Sequence, residues 1–468
     1  MNDRVVATAL AALVLFARAP FAAGLLWAWD SVLYAHALEQ GFHVDADLIG
    51  QRPHPPGYVF YVATAALLRL LVRDSNTALV LVSVIASALS AAVVYLLSRR
   101  FAERPAALVA SLAFAAAPLA WTYGEVAMPY ALLGLLSVAL AALFLRARAR
   151  VRATAMASLA FGLAAGFRQD LLLIAGPLWL WMLWPVTWRT RALALAAVTL
   201  GCVAWAVPTV VLSGGLATYV TSVTGQTGRV GELSPASGDV SALARNLLLI
   251  AYGLWWGLLG FAALFIAVIA AALRMCRPSG TSVFFMLWVV PAALVYVFVH
   301  IGDPGYLLSI LPAFYVAFAA LVRTVPPARA MVLGLATVLA VVNAAIFLIV
   351  DVPYSWNAIA RHDGSLIQRT AYARRTFSPA DTVIVAQVDY LLAKYYLPEF
   401  HVLFYGSEPQ ALSRSARPVS ITAPAEIVVF GALIDPLPAS LAARSDGPLT
   451  TVKLGAGSAI IAYDIGPR

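Results

Sequence analysis

The chain has 468 residues, 62% of them hydrophobic and only 11% charged, with a mean hydropathy of +0.87. Soluble domains carry about a quarter charged residues, so a water-soluble globule is excluded. The net charge of +9 does not mark a nucleic-acid binder, because the basic residues lie between apolar stretches and form no stripe interleaved with exposed aromatics.

The apolar residues come in repeated stretches of roughly 16 to 28, which as helices at about 1.5 Å per residue cross about 30 Å of hydrocarbon. Barrel strands would show short alternating segments of about ten residues, and the sequence lacks them. The first stretch covers residues 5–27, behind Arg4. Small residues at 17–24 give it the look of a signal peptide, but the spans that follow need it for parity. Further spans are expected at 76–98, 105–121, 127–145, 153–167, 170–186, 192–212, 246–273, 281–300, 306–322 and 330–350, eleven crossings with the first. Residues 56–72 are also apolar, yet a full crossing there would reverse every later loop, so they read as an interfacial or re-entrant helix.

With that choice the arginines at 99, 100 and 104, at 146, 148, 150 and 152, at 189 and 191, at 274 and 277, and at 323 and 329 all share the side of the N-terminus. The positive-inside rule makes that side cytoplasmic. The opposite side receives the loop 28–75, the turns 122–126, 167–170 and 300–305, the loop 213–245, and everything after 350. Within 213–245, residues 225–238 read as a flexible loop. Cys202 and Cys276 fall within or at the end of apolar segments with no metal-like spacing, and read as packing residues.

After residue 350 charged residues return and apolar runs shorten, so residues 1–350 form a transmembrane domain and 351–468 an extracytoplasmic one. Within the latter, 382–386, 402–405, 426–429 and 459–462 read as strands and 390–396 as a helix, a small α/β domain.

Five features on the outer side carry candidate chemistry. Asp30 follows the first span beside Trp27 and Trp29, with Tyr34 and His36 roughly on its helical face; it reads as a partly desolvated general base or as a helix N-cap. In the run from Gln51 through Arg52, Pro53, His54, Pro55, Pro56 and Gly57 to Tyr58, three prolines deny a regular helix and present a cation and an imidazole that suit an anion. Glu125 lies in a turn ahead of Pro129 and Tyr130, close to hydrocarbon, where a carboxylate must face protein, water or a partner. Arg168 sits in an outer turn that the positive-inside rule disfavours; it reads either as a structural bridge to Asp170 or Glu125 or as a phosphate ligand. His300, Asp303 and Tyr306 form a further outer turn.

An acid after the first span, a Pro-Pro motif, an acid-containing turn before Pro-Tyr, and a late Tyr-Leu-Leu before Pro resemble the GT-C superfamily of membrane glycosyltransferases. Within it the chain is most similar to the protein-mannosyltransferase and aminoarabinose-transferase branch, over residues 1–350 and most strongly in the first 170. The resemblance implies a polyprenyl-phosphate sugar donor, transfer on the outer face of the cytoplasmic membrane, and a lipid, glycan or protein acceptor. It implies Asp30 as catalytic base, with Glu125 its helper or a metal ligand. Arg52, His54 and Arg168 are expected to hold the phosphate, with Tyr34, Tyr58, Tyr130, His300 and Tyr306 lining the site. The chain departs from its relatives in having Ser31 after the acid, His54 for a lysine, Met128 for an arginine, and no arginine near the late tyrosine in sequence. Those losses leave Arg52 and Arg168 as the substitute cations. No cofactor is implied beyond a divalent metal ion, whose participation the sequence leaves open. A transporter or flippase, the rival from another class, predicts charges at mid-span and paired glycine-broken helices, neither of which is evident.

Overall fold

The computed structural model describes residues 2–45, 47, 49, 52–275, 280–407, 413, 415–422, 426–438, 441–454 and 459–465. Gln51, Cys276 and Arg277 therefore lie outside the described residues. The helices, in chain order, are α1 (Asp3–Arg18), α2 (Trp29–Gln40), α3 (Val59–Val72), α4 (Ser75–Ser98), α5 (Arg104–Ala116), α6 (Pro118–Thr122), α7 (Tyr130–Ala147), α8 (Val151–Ala164), α9 (Leu171–Ile174), α10 (Gly176–Leu183), α11 (Trp188–Leu212), α12 (Leu216–Glu232), α13 (Val240–Leu258), α14 (Phe261–Met275), α15 (Gly280–Phe298), α16 (Leu311–Val322), α17 (Arg329–Ile349), α18 (Trp356–Thr376) and α19 (Tyr390–Tyr396). The chain divides into two compact units. The first is Met1–Ala23, Tyr58–Val211 and Thr227–Ile359; the second is Gly24–Gly57, Leu212–Gln226 and Ala360–Arg468.

Among the described residues, seven helices are long and apolar enough to cross a membrane, and α13 with α14 makes an eighth if the 90° bend between them belongs to one span. In the first unit, α4 packs against α1, α3, α5, α7 and α16. Its run of Ala86, Ser87, Ala88, Ser90, Ala91 and Ala92 lets neighbouring backbones approach. Ser111 uses that proximity, donating to the Ala91 carbonyl at 2.7 Å. Asp74 starts α4 as an N-cap, its carboxylate accepting from the Thr77 amide at 2.7 Å. α8 and α11 cross with little room, since a Cβ on Gly162 would lie 2.2 Å from the Val198 carbonyl oxygen.

One end of the first unit gathers arginines from two connections, α4 to α5 and α16 to α17. Asp3 accepts from Tyr95 at 2.7 Å and pairs with Arg99 and Arg104; Glu103 pairs with Arg329; Arg323 donates to the Phe101 carbonyl at 2.7 Å. The far end of α4 is tied instead to the turns that carry the candidate chemistry, Asn76 donating to the Ala23 carbonyl and Ser83 to that of Met128, both at 2.9 Å.

Several elements differ from the sequence expectation. The first helix stops at Arg18, followed by a 3-10 turn at Ala19–Phe21, because Pro20 closes it. The expected span 170–186 is two short helices, broken ahead of Pro177, and 246–273 is bent at Leu259, whose φ of 44° lies in the left-handed region. Residues 216–232 are helical rather than loop. Their threonines, which depress helix propensity, bond back to the preceding turn here, Thr221 to Ala217 and Thr224 to Val220, each at 2.9 Å.

The second unit is built on a mixed sheet of β1 (Thr382–Ala386), β2 (His401–Phe404), β3 (Ala416–Thr422), β4 (Glu426–Val429), β5 (Ala442–Asp446), β6 (Leu449–Lys453) and β7 (Ala459–Ile465), in the order β3-β7-β2-β1-β4-β6-β5. β1 pairs in parallel with β2 and β4, and the outer pairs are antiparallel. A parallel pair needs a crossover, and α19 supplies it between β1 and β2. Val385, Leu403, Ile427 and Val452 centre the core. The expected strands and helix are present, and the polytopic helical fold with a small C-terminal sheet domain is borne out.

Candidate active site

The first unit places four of the expected site residues together. Arg168 lies in the turn after α8, its side chain 3% exposed, and its guanidinium grips Asp170 with both prongs, Nη2 to Oδ2 at 2.9 Å and Nε to Oδ1 at 3.2 Å. Three tyrosine rings surround the same cation, with centroids at 4.5 Å for Tyr306, 5.3 Å for Tyr130 and 5.4 Å for Tyr58. Each ring presents its electron-rich face to the charge, an attraction that strengthens when water is excluded. The late tyrosine, Tyr306, thus has a cation beside it, supplied by Arg168 from the turn after α8. Of the two structural bridges open to it, Arg168 takes Asp170.

Tyrosines continue from this cluster to Asp303. Tyr130 packs edge-on against Tyr123, whose hydroxyl donates to Asp303; the same carboxylate accepts from the Gly305 amide at 2.7 Å. Gly305 permits the approach, since a Cβ there would lie 2.4 Å from Tyr130 Cδ2. Burial, reinforced by the Asp303 charge, raises the Tyr123 phenol well above its ordinary range and keeps it protonated as a donor. His300 lies in the same turn. Its Nδ1 is buried with no hydrogen-bond partner among the described residues, and burial, followed by Arg245, lowers its pKa.

Glu125 is fully buried. Its Oε1 accepts from Trp121 Nε1 at 3.0 Å and lies 4.0 Å from Arg18 Nη1, while Oε2 has no partner among the described residues. Desolvation outweighs the Arg18 attraction and the Trp121 hydrogen bond, and pushes the carboxyl up to about 8. Arg18 is held chiefly by carbonyls, those of Trp121 at 2.6 Å, Ala115 at 2.9 Å and Ala120 at 3.2 Å, where α5 breaks into α6. The turn has no space to spare, because a Cβ on Gly124 would fall 2.4 Å from Arg18 Nη1. Arg18, Trp121 and Tyr123 were missed in the sequence. An arginine inside an apolar run is the signal that finds Arg18.

The second unit holds the acid and the imidazole. Asp30 is the second residue of α2, where the helix N-terminus favours a carboxylate. It is not the cap, because Ala28 holds that position. His54 Nε2 lies 3.5 Å from Asp30 Oδ1, and its Nδ1 lies 2.9 Å from the Pro55 carbonyl oxygen. Both ring nitrogens therefore face oxygen, an arrangement an imidazolium satisfies. The side chains are 33% and 17% exposed, so the pair is open to solvent where Arg168 is sealed. Arg52 reaches the carbonyls of His36 at 3.3 Å and Gln40 at 3.5 Å, at the C-terminal end of α2. Tyr34 is 2% exposed and packs inside the unit rather than on its surface. Among the described residues, no group of three or more His, Cys, Asp or Glu side chains is placed to hold a metal ion.

Residues 53–212 match the family model for dolichyl-phosphate-mannose-protein mannosyltransferase. No curated protein matches the chain in sequence. In structure it is similar to ArnT from Cupriavidus metallidurans bound to undecaprenyl phosphate, with 14% identity, a TM-score of 0.61, and coverage of 97% of this chain and 98% of that one. The apo state of the same protein matches with 15% identity and a TM-score of 0.57, covering 96% and 97%. The Archaeoglobus fulgidus oligosaccharyltransferase, in complex with Zn and sulfate, matches over 86% of this chain and 62% of that one, at 15% identity and a TM-score of 0.50. With helices, sheet domain and family match in agreement, the chain has the GT-C fold of membrane glycosyltransferases, as its motifs implied.

Proposed function

We propose that the protein is a membrane glycosyltransferase that moves a sugar from a polyprenyl-phosphate donor to an acceptor hydroxyl on the outer face of the cytoplasmic membrane. The observation that carries the reading is the Asp30–His54 pair, a carboxylate held at a helix N-terminus, beside an imidazole, and partly open to solvent. The undecaprenyl phosphate bound to ArnT, a protein of the same fold, supports the donor class.

In the reaction, Asp30 takes the proton of the acceptor hydroxyl as its oxygen attacks the anomeric carbon. The bond from that carbon to the phosphate oxygen breaks, and the lipid phosphate departs with the electron pair, inverting the configuration. Phosphate is a good leaving group at neutral pH, so no general acid is demanded. His54 and Arg52 are assigned to the phosphate charge, and Arg168 acts with Tyr58, Tyr130 and Tyr306 as an electrostatic anchor in its own unit. Full burial and the Arg18 partner make Glu125 a group that sets the shape of its turn. The test is incubation of the purified protein in liposomes with radiolabelled polyprenyl-phosphate hexoses and pentoses and membrane extract as acceptor source. Label is expected to leave the lipid in a protein-dependent manner, and failure to consume any such donor would refute the reading.

A further inference from the structure

The second unit contains a cleft of about 640 Å³ that the proposed chemistry does not use, lined by His36, Glu39 and Gln40 of α2, Lys394 and Tyr395 of α19, and Asp464 of β7. Its size is in the usual range for small-ligand sites. Glu39 stands nine residues beyond Asp30, about 13 Å along α2 and roughly half a turn around it, so the cleft occupies a different face of that helix from Asp30.

The groups in the cleft are fixed in place. The Tyr395 ring lies 5.4 Å from that of His36, and its hydroxyl donates to Glu39 Oε1 at 2.6 Å. Lys394 Nζ donates to the Ile465 carbonyl at 2.5 Å and to the Tyr390 hydroxyl at 3.1 Å, which locks the ammonium against β7. Phe400 and Val402 add apolar wall. Two carboxylates, Glu39 and Asp464, face one ammonium, Lys394, so with neutral imidazoles the cleft carries one excess negative charge and does not suit a phosphate. A rigid aromatic ring, an apolar wall and several convergent acceptors and donors match a sugar, whose hydroxyls bond at the rim while its C–H face lies on the ring.

We propose that this cleft binds a carbohydrate, the glycan portion of the acceptor; the acceptor role rests on the transferase reading. Saturation-transfer NMR on the full chain in lipid nanodiscs tests it, with methyl glucoside, methyl mannoside, methyl N-acetylglucosaminide, cellobiose and maltose as probes. At least one probe is expected to bind, with signal lost in Tyr395→Ala, weakened at least fivefold in Glu39→Gln, largely kept in Tyr395→Phe, and unchanged in Asp30→Asn. Added inorganic phosphate should not compete. Binding of none of the probes, equal signal in Glu39→Gln and wild type, or displacement by phosphate would overturn the proposal. Glu39→Gln keeps the shape of the side chain and decides the matter if Tyr395→Ala fails to fold. Donor consumption measured on the same samples separates the two readings. Glycoside binding without consumption removes the transferase and leaves the cleft, whereas consumption without binding that depends on Tyr395 and Glu39 removes the cleft alone.

Discussion

Two of the candidate basic–carboxylate pairs, one in each unit, differ in how they are built. In the first unit Arg168 and Asp170 form a two-pronged pair with the arginine 3% exposed and walled by tyrosines. In the second, Asp30 and His54 are 3.5 Å apart and 33% and 17% exposed. Arg168 cannot leave Asp170, itself 26% exposed, without its own buried charge going uncompensated. An open pair can release its carboxylate to a substrate proton at little cost. On the proposed reading the contrast gives Arg168 an architectural role and Asp30 the chemistry, where the sequence offered Asp30 as the base and Arg168 as a structural bridge or a phosphate ligand.

The comparison breaks most readily at Arg168. Arg168→Leu removes the buried cation but leaves Asp170 26% exposed, and is expected to destabilise the first unit by about 1.5–3 kcal/mol, seen as a fall in melting temperature in nanodiscs. A variant as stable as wild type would mean that the arginine is held for ligand binding and not for structure. Arg168→Lys should recover only part of the loss, because an ammonium cannot reproduce the two-pronged grip.

Glu125 gives the next effect, through pH. Its carboxyl titrates near 8 in the fold against an ordinary 4.5, so between those values the folded protein holds a proton that the unfolded chain has lost. Stability should therefore fall as pH rises from about 4.5 to about 8 and level off above, by an amount on the order of a few kcal/mol. Melting temperatures from pH 5 to 9 check this, and Glu125→Gln should flatten the profile. A wild-type profile that rises over the same window would show Glu125 to be ionised beside Arg18.

Smaller effects sharpen the picture. Tyr123→Phe removes a hydroxyl donor from Asp303, which keeps the Gly305 amide, and should cost about 1–2 kcal/mol, again read as thermal stability. Arg52→Gln withdraws a cation from the C-terminal carbonyls of α2 and should cost about 0.5–1 kcal/mol. If Arg52 also holds donor phosphate, the same variant raises the donor KM with kcat little changed; an unaltered KM would confine it to capping α2.

Much of this was legible in the sequence, for identifiable reasons. Spans follow from hydropathy, and Arg168 stood out because an arginine on the outer side violates charge bias. Asp30, His54 and Glu125 were visible as polar groups against an apolar background. The α19 helix was read with its observed ends, between the first two strands. Partnerships were not legible. Arg18 reaches carbonyls about a hundred residues away, and Arg168 finds Tyr58 and Tyr306 from opposite ends of the first unit's sequence. α12 was hidden by its threonines and glycines, and β3, β5 and β6 by polar residues that a sheet accepts once neighbouring strands are present.

The central claim is that Asp30 removes the acceptor proton while Arg168 and Glu125 hold structure. Single-turnover transfer from a radiolabelled polyprenyl-phosphate sugar, measured for wild type and Asp30→Asn at matched melting temperature, tests it most directly. The account predicts a fall of about 10²–10⁴-fold in the rate of transfer with donor binding retained. Equal rates in the two proteins would contradict it.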